Sequence, residues 1–267
     1  MINRATVIGG GLILVGAGVF FSLRVADDET SVVESASTVS AAFSAQTVWG
    51  EPDIAGVWRG TVLGAIAGQD TFDLAALEAL YTDGARTRMS ALSPADDPTL
   101  RCAPPAFPRA AMLGQPIQII QRPGFAIILT QAYPAVRTIP TTARPHTEGE
   151  YLYPTHMGDS TAHWDGDTLV VDVISFSGEG WLAGPADRPT DASTGVWPTS
   201  DALHIIERWR RVDAETLEYQ ATVEDPNSLS GAWETPTVTF KRQKIDKIEE
   251  AFCRPEDGVE TYLERLG

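Results

Sequence analysis

The sequence predicts an all-β, antiparallel domain, closed into a barrel or folded as a sandwich, with one helical insertion behind an N-terminal membrane helix. Three observations predict it. Short strand-like runs joined by tight turns recur through residues 50–267. A single segment carries helical spacing of its apolar residues. No internal repeat and no linker interrupts the same stretch, so residues 49–267 read as one β-rich domain.

Taken in order, Met1-Ile2-Asn3-Arg4 precedes an uncharged, mostly apolar run over residues 5–23. Its length is near the roughly 20 residues that a membrane-spanning helix needs. No small-residue cleavage site follows at once, so residues 1–25 read as a signal anchor or a signal peptide. Both place the body outside the cytoplasm, on the periplasmic or extracellular side, with the membrane touched only through this helix. Residues 26–48, rich in Ser, Thr, Ala and acids, read as a flexible linker. Gly56-Val57-Trp58 opens the first strand and resembles the Gly-x-Trp start of lipocalin-like barrels, which implies a barrel. Residues 72–89 form the helical segment, with Leu74, Leu77 and Leu80 near helical spacing, and the proline-rich stretch 102–109 after it is a loop. Strands over 116–121 and 125–131 flank Pro123-Gly124. Those over 160–164 and 168–174 flank Asp165-Gly166, a strong hairpin signal. Strands over 204–212 and 217–223 flank a further turn, and 237–242 adds another.

Charge narrows the function. Acidic residues outnumber basic ones by 36 to 20, for a formal charge of −16, which argues against a nucleic-acid partner because phosphate binding needs clustered Lys and Arg. Cys102 and Cys253 are the two cysteines. In an exported chain they form a disulfide or remain as two separate buried thiols. A phosphate loop, a Gly-x-Ser-x-Gly elbow and a Cys-x-x-Cys pair are all absent from the folded part.

All four histidines, His146, His156, His163 and His204, fall in the centre of the chain among aspartates and glutamates. Imidazole and carboxylate are the side chains that hold divalent metals and move protons near neutral pH. With Asp165-Gly166 as a two-residue turn, Asp159 pairs with Asp172. One face then carries Asp159, Thr161, His163, Thr168, Val170 and Asp172, and two opposed carboxylates call for a proton or a cation unless solvent screens them. On the next hairpin Glu207 shares the apolar face with Leu203, Ile205 and Trp209, opposite Leu217, Tyr219, Ala221 and Val223. A carboxylate there is costly unless paired, protonated or metal-bound, and Arg137 or Arg144 could pair with it. His204 lies on the opposite face. Asp225, at a strand end, is placed to reach the same rim.

The central segment also resembles a motif of exported, largely uncharacterised bacterial proteins. The matching residues are Arg144-Pro145-His146, Gly158-Asp159-Ser160, Trp164-Asp165-Gly166-Asp167-Thr168-Leu169-Val170-Val171-Asp172, Ile206-Glu207-Arg208 and Cys253, with Pro52 to Trp58 and Arg101 to Pro105 further upstream. Asp165 and Asp172 stand where that motif more often has glutamate. The group is similar in turn to the non-haem di-iron hydroxylase of platensimycin-type diterpenoid biosynthesis, which implies a His and carboxylate site holding two irons, or another divalent metal, and activating oxygen. The expected ligand set is His146, Asp159, His163, Asp172 and Glu207, with His156 and His204 behind them. Trp164, Trp209 and Tyr219 are the expected substrate-binding residues. The expected function is therefore a metal-dependent oxygenase or hydroxylase acting on a hydrophobic small molecule. The alternative is a non-catalytic exported β-barrel, lined by Trp58, Trp164, Trp209 and Trp233, that binds an apolar ligand or a cell-envelope partner.

Overall fold

Short runs of branched and aromatic residues separated by turns become the wall of a nearly closed antiparallel barrel in a computed structural model, which describes residues 45–60, 74–184, 196–249 and 251–254. The strands are β1 (Gly56–Gly60), β2 (Pro116–Arg122), β3 (Phe125–Thr130), β4 (Ala135–Pro140), β5 (Asp159–Asp165), β6 (Thr168–Ile174), β7 (His204–Arg211), β8 (Thr216–Glu224), β9 (Trp233–Glu234) and β10 (Val238–Arg242). Around the wall they run β4-β3-β2-β1-β10-β8-β7-β6-β5, with β9 beside β8. The ends of this path meet. Arg137 Nε on β4 donates to Ser160 Oγ on β5 at 2.9 Å, and just past β4 the Ala143 amide donates to the Ala162 carbonyl at 2.9 Å. The barrel thus prevails over the sandwich. The expected membrane segment 1–25 and most of the expected linker lie outside the described residues.

Strand alternation decides what faces inward. Leu169, Val171 and Val173 of β6, Ile205 and Trp209 of β7, and Leu217, Tyr219, Ala221 and Val223 of β8 are all buried in one core with Trp58, Ile117, Ile119, Ile128 and Phe240. Rings fill the middle: Trp209 and Tyr219 lie 4.5 Å apart, and Trp209 and Phe240 5.8 Å. Burying each such side chain contributes on the order of 2–3 kcal/mol.

The β5–β6 register differs from the expected one. Asp165 pairs with Thr168 and Asp159 with Ile174, so the turn residues are Gly166 and Asp167. Gly166 has φ +61°, and a turn with Gly in the left-handed region at its first central position matches strand twist. Both strands shift by one residue, so the faces hold while Asp172 now opposes Thr161. The expected carboxylate pair does not form.

The expected helix is two, α1 (Leu74–Leu80) and α2 (Asp83–Met89); residues 72 and 73 lie outside the described residues. Tyr81 leaves the helix to bridge Leu229, and Thr82 caps α2 by accepting the Ala85 amide on its hydroxyl. Such a threonine favours a new start over continuation.

The segment from Pro94 through α3 (Arg109–Met112) packs on the core, where Phe107, Ala110, Ala111 and Met112 are buried. Arg109 grips Asp97 through both guanidinium ends, at 2.9 and 2.6 Å, and both residues are buried. This clamp seats Phe107 against Trp209 and Tyr219, with ring centroids at 5.4 and 5.9 Å. Cys102, within this segment, is bonded to Cys253, with Cα atoms 5.7 Å apart across 151 residues of sequence. Closing so long a loop removes entropy from the unfolded chain, by about 5 kcal/mol in the chain-entropy account and less where unfolded structure remains.

Candidate functional site

At one end of the barrel, β5 and β7 begin and β6 and β8 finish, so their terminal residues share a rim. On its outer face a loop crosses β5, tied down where Thr161 Oγ1 donates to the Arg144 carbonyl at 2.5 Å. That loop brings His146 over the strands. Its Nδ1 lies 2.9 Å from Asp159 Oδ2, and its Nε2 lies 3.2 Å from Asp172 Oδ1. His204, diagonal to Asp172 and directly across from Glu224, sets its Nε2 2.9 Å from the same Asp172 Oδ1 and its Nδ1 3.4 Å from Glu224 Oε2. The order is acid, imidazole, acid, imidazole, acid: Asp159, His146, Asp172, His204, Glu224.

Gly158 permits this arrangement. Its φ is +69°, and a Cβ there would lie 2.7 Å from the Ile174 carbonyl oxygen and from Val173 Cγ1. Only glycine lets the chain enter β5 this close to the end of β6.

Burial alone would raise the Asp159 carboxyl. Hydrogen bonds from His146, the Thr147 amide and the Thr147 hydroxyl, with the charge of His146, outweigh it and hold the group below the usual carboxylate range. Asp159 therefore orients the His146 ring through Nδ1. Its Nε2 faces a carboxylate oxygen of Asp172. That contact lacks hydrogen-bond geometry, and Nε2 is buried with no hydrogen-bond partner. Among the described residues no three His, Cys, Asp or Glu side chains enclose an open metal position. The Asp172 oxygen itself occupies the place where the two Nε2 atoms converge.

A second polar cluster lies inside the wall. Glu207, fully buried, accepts from Arg137 Nη1 at 2.8 and 3.0 Å and from Trp209 Nε1 at 3.0 Å. Arg137 also stacks over Phe107, with Cζ 5.4 Å from the ring centroid. Burial, then the charge of Glu207, pushes the Tyr219 phenol well above its ordinary range, so it stays protonated.

Phe107 also lines a small cleft of about 10 Å³, together with His156, Phe176, Trp181, Leu182 and Leu203. Phe176 follows β6 and Leu203 precedes β7, so cleft and histidines share one rim.

Four of the seven expected ligands come together: His146, Asp159, Asp172 and His204. Glu207 is corrected to an interior partner of Arg137, separated from the others by the barrel wall. His163 is exposed, across from Val170. His156 sits by the cleft, 3.9 Å from Glu179. Asp225 is buried and accepts from the amide and hydroxyl of Ser200 at 2.7 and 2.6 Å. Trp209 and Tyr219 are wholly inside, and Trp164 packs partly buried against the same core. Glu224 was missed, although the β7–β8 register, extended to the strand ends, points to it opposite His204. No protein-family model matches the chain, and no curated protein sequence matches it.

Proposed function

We propose that the protein is an exported, metal-dependent enzyme, an oxygenase or hydroxylase acting on an apolar small molecule. One observation carries the metal: two imidazole Nε2 atoms converge on a single Asp172 oxygen, at 3.2 and 2.9 Å, while both Nδ1 atoms face carboxylates. Two histidines and one carboxylate with open positions are a donor set suited to non-haem iron. Carboxylates behind the distal nitrogens orient such ligands and raise their basicity. With neutral imidazoles, the three carboxylates sum to a charge of −3 and attract a cation. The orphaned Nε2 of His146 fits the group, and a rotation of Asp172 opens the place for it.

On this reading His146, His204 and Asp172 hold iron, as one ion or a pair, or another divalent metal. Asp159 and Glu224 fix the imidazoles, and His156, His163 and Glu207 take no part. Bound iron would supply activation of dioxygen. The chain's own residues do the rest: Phe107, Phe176, Trp181, Leu182 and Leu203 line an apolar cleft at the same rim, against which an apolar substrate would lie. The motif likeness to the di-iron hydroxylase supports this chemistry. The Cys102–Cys253 disulfide supports an oxidising compartment, and so export. The Gly56-Val57-Trp58 opening of β1 supports a lipocalin-like barrel. A non-catalytic barrel enclosing an apolar ligand has less support, because Trp58, Trp209, Tyr219 and Phe240 fill the interior.

Elemental analysis of the purified full chain, expressed with iron, zinc and manganese, tests the reading. The expected result is near-stoichiometric metal that is lost in His204→Ala and Asp172→Ala. Metal-free wild-type protein under these conditions overturns it.

A further inference from the structure

One part of the barrel wall is apolar on both faces. In β2, β3 and β4 the inward positions Ile119, Ile128 and Ile139 are buried in the core, and alternation turns Ile120, Phe125, Ile127, Leu129 and Val136 outward. Register makes these a continuous patch: Ile120 pairs with Ile127, Leu129 with Val136, and Phe125 with Pro140. Phe125 and Val136 are 45% and 67% exposed. Arg122 is the one charged residue that these three strands turn outward. The other wall differs, because β5 to β8 turn out Asp159, Asp172, Arg208, Glu218 and Glu224. Contiguous exposed apolar surface of this kind marks a docking face.

The course of the chain says what it docks on. Residues leading into β1 are held by the same strands that carry the patch. Gln121 on β2 donates to the Pro52 carbonyl at 3.0 Å and accepts from the Ile54 amide at 2.7 Å. Thr141, just past β4, donates its hydroxyl to Glu51 Oε1 at 3.4 Å and its amide to the Gly124 carbonyl at 2.9 Å, in the turn before Phe125. Glu51 Oε2 in turn accepts from Trp49 Nε1 at 2.8 Å. Exposed Val48 and Trp49 thus stand at the Phe125 end of the patch, and the chain upstream of them leads back to the apolar run over residues 5–23. The expected linker between the two spans roughly 25 Å as a coil.

We propose that the outer face of β2, β3 and β4 lies on the bilayer surface, a second membrane contact beyond the N-terminal helix. Phe125, Ile127, Leu129 and Val136 meet the acyl boundary, Trp49 sits at headgroup level, where tryptophan is favoured, and Arg122 faces lipid phosphate. The tether keeps the local lipid concentration high, so a modest patch suffices. Strands β7 and β8, with His204 and Glu224, lie across the barrel from β3 and stay in water. This rests on reading residues 1–25 as a membrane anchor and is independent of any metal.

Trp49 is the one exposed tryptophan of seven, which makes it the reporter. The full chain is reconstituted in phosphatidylcholine vesicles, plain or brominated on the acyl chains near the headgroup, and bromine quenches tryptophan only at close range. The expected result is co-flotation with the vesicles and a loss of emission in brominated lipid that disappears in Trp49→Phe. Phe125→Ser combined with Val136→Ser changes two exposed positions, so the fold is expected to survive. That variant should still float and lose the quenching. Flotation of the wild type without quenching overturns the proposal and leaves the anchor standing, whereas failure to float overturns both. Quenching that survives the double variant overturns the assignment to this face. A wild-type dimer in detergent that the double variant turns into a monomer gives the face to a second copy, which also overturns it.

Discussion

The barrel wall separates two clusters built from similar chemistry and put to opposite ends. Inside, Glu207 and Arg137 are almost fully buried, and the carboxylate accepts from Arg137 and from Trp209. Outside, Asp159, His146, Asp172, His204 and Glu224 stand in a row with more acids than the histidines can balance, and Asp172 and Glu224 keep 44% and 57% of their side chains exposed. A buried charge without compensation is strongly destabilising, so the interior had to be balanced to fold at all. At the rim, water screens the excess charge, and a ligand-hungry arrangement is tolerable there. Neutrality marks the inner pair as structural, and the unbalanced outer row is where the proposed cation would bind.

The largest effect is expected inside. Glu207→Ala leaves the Arg137 guanidinium buried and unpaired, and unfolding free energy should fall by about 3–5 kcal/mol. The double variant Arg137→Met with Glu207→Met removes both charges and is expected to recover most of the loss, because burying an ion pair gains little over apolar packing. Urea unfolding midpoints of the single and double variants decide it. A double variant as unstable as the single one would show that the pair contributes more than mutual neutralisation.

Metal binding comes next and divides the two clusters cleanly. If the proposed site holds metal, at a free metal concentration of 100 times Kd the wild type is expected to gain about 2.7 kcal/mol of stability by mass action. His204→Ala is expected to lose that gain while folding normally, and Tyr219→Phe, on the inner side, to keep it. Thermal unfolding with ferrous ion under argon, with and without chelator, reads both. A gain that survives His204→Ala places the metal elsewhere.

This division explains which features the sequence made legible. Strand parity alone put Glu207 inward with Ile205 and Trp209, and Asp159, His163 and Asp172 outward, and the β5–β6 pairing moved by two residues, which keeps each side chain on its face. Register itself was not legible. It turned on whether Gly166 opens or closes the turn, and that choice separated Asp159 from Asp172. Loop reach was not legible either. His146 joins the row because a hydrogen-bonded crossing of β5 carries it there, and no local pattern encodes the crossing. Strand β4 escaped notice because prolines stand at its borders, yet it supplies Arg137 and seals the barrel. The disulfide was one of two open readings, and the folded chain carries it.

A smaller effect tests how firmly the outer row is organised. The folded-state pKa of Asp159 lies below its unfolded value of about 3.9. Its stabilisation is therefore present above that value and lost as pH falls through the depressed folded value. Asp159→Asn, measured with chelator present, is expected to cost about 1 kcal/mol at pH 5. The gap from wild type should close on acidification below about pH 4. A gap that widens as acid is added would mean that the carboxyl is held in its protonated form, contrary to its bonds with His146 and Thr147.

The smallest expected effect concerns His163, which shares a strand face with Asp159 and would have been a ligand had proximity along the chain decided the matter. It stands two pairs nearer the hairpin turn than Asp172's partner Thr161, is exposed, and opposes Val170. The row turns away from it, because the fourth and fifth members come from β7 and β8 rather than from further along β5. His163→Ala is accordingly expected to leave metal stoichiometry unchanged and to alter stability by no more than about 0.5 kcal/mol, as exposed substitutions do. Loss of metal in this variant would restore the β5–β6 hairpin as the site and dissolve the row that His146 and His204 define.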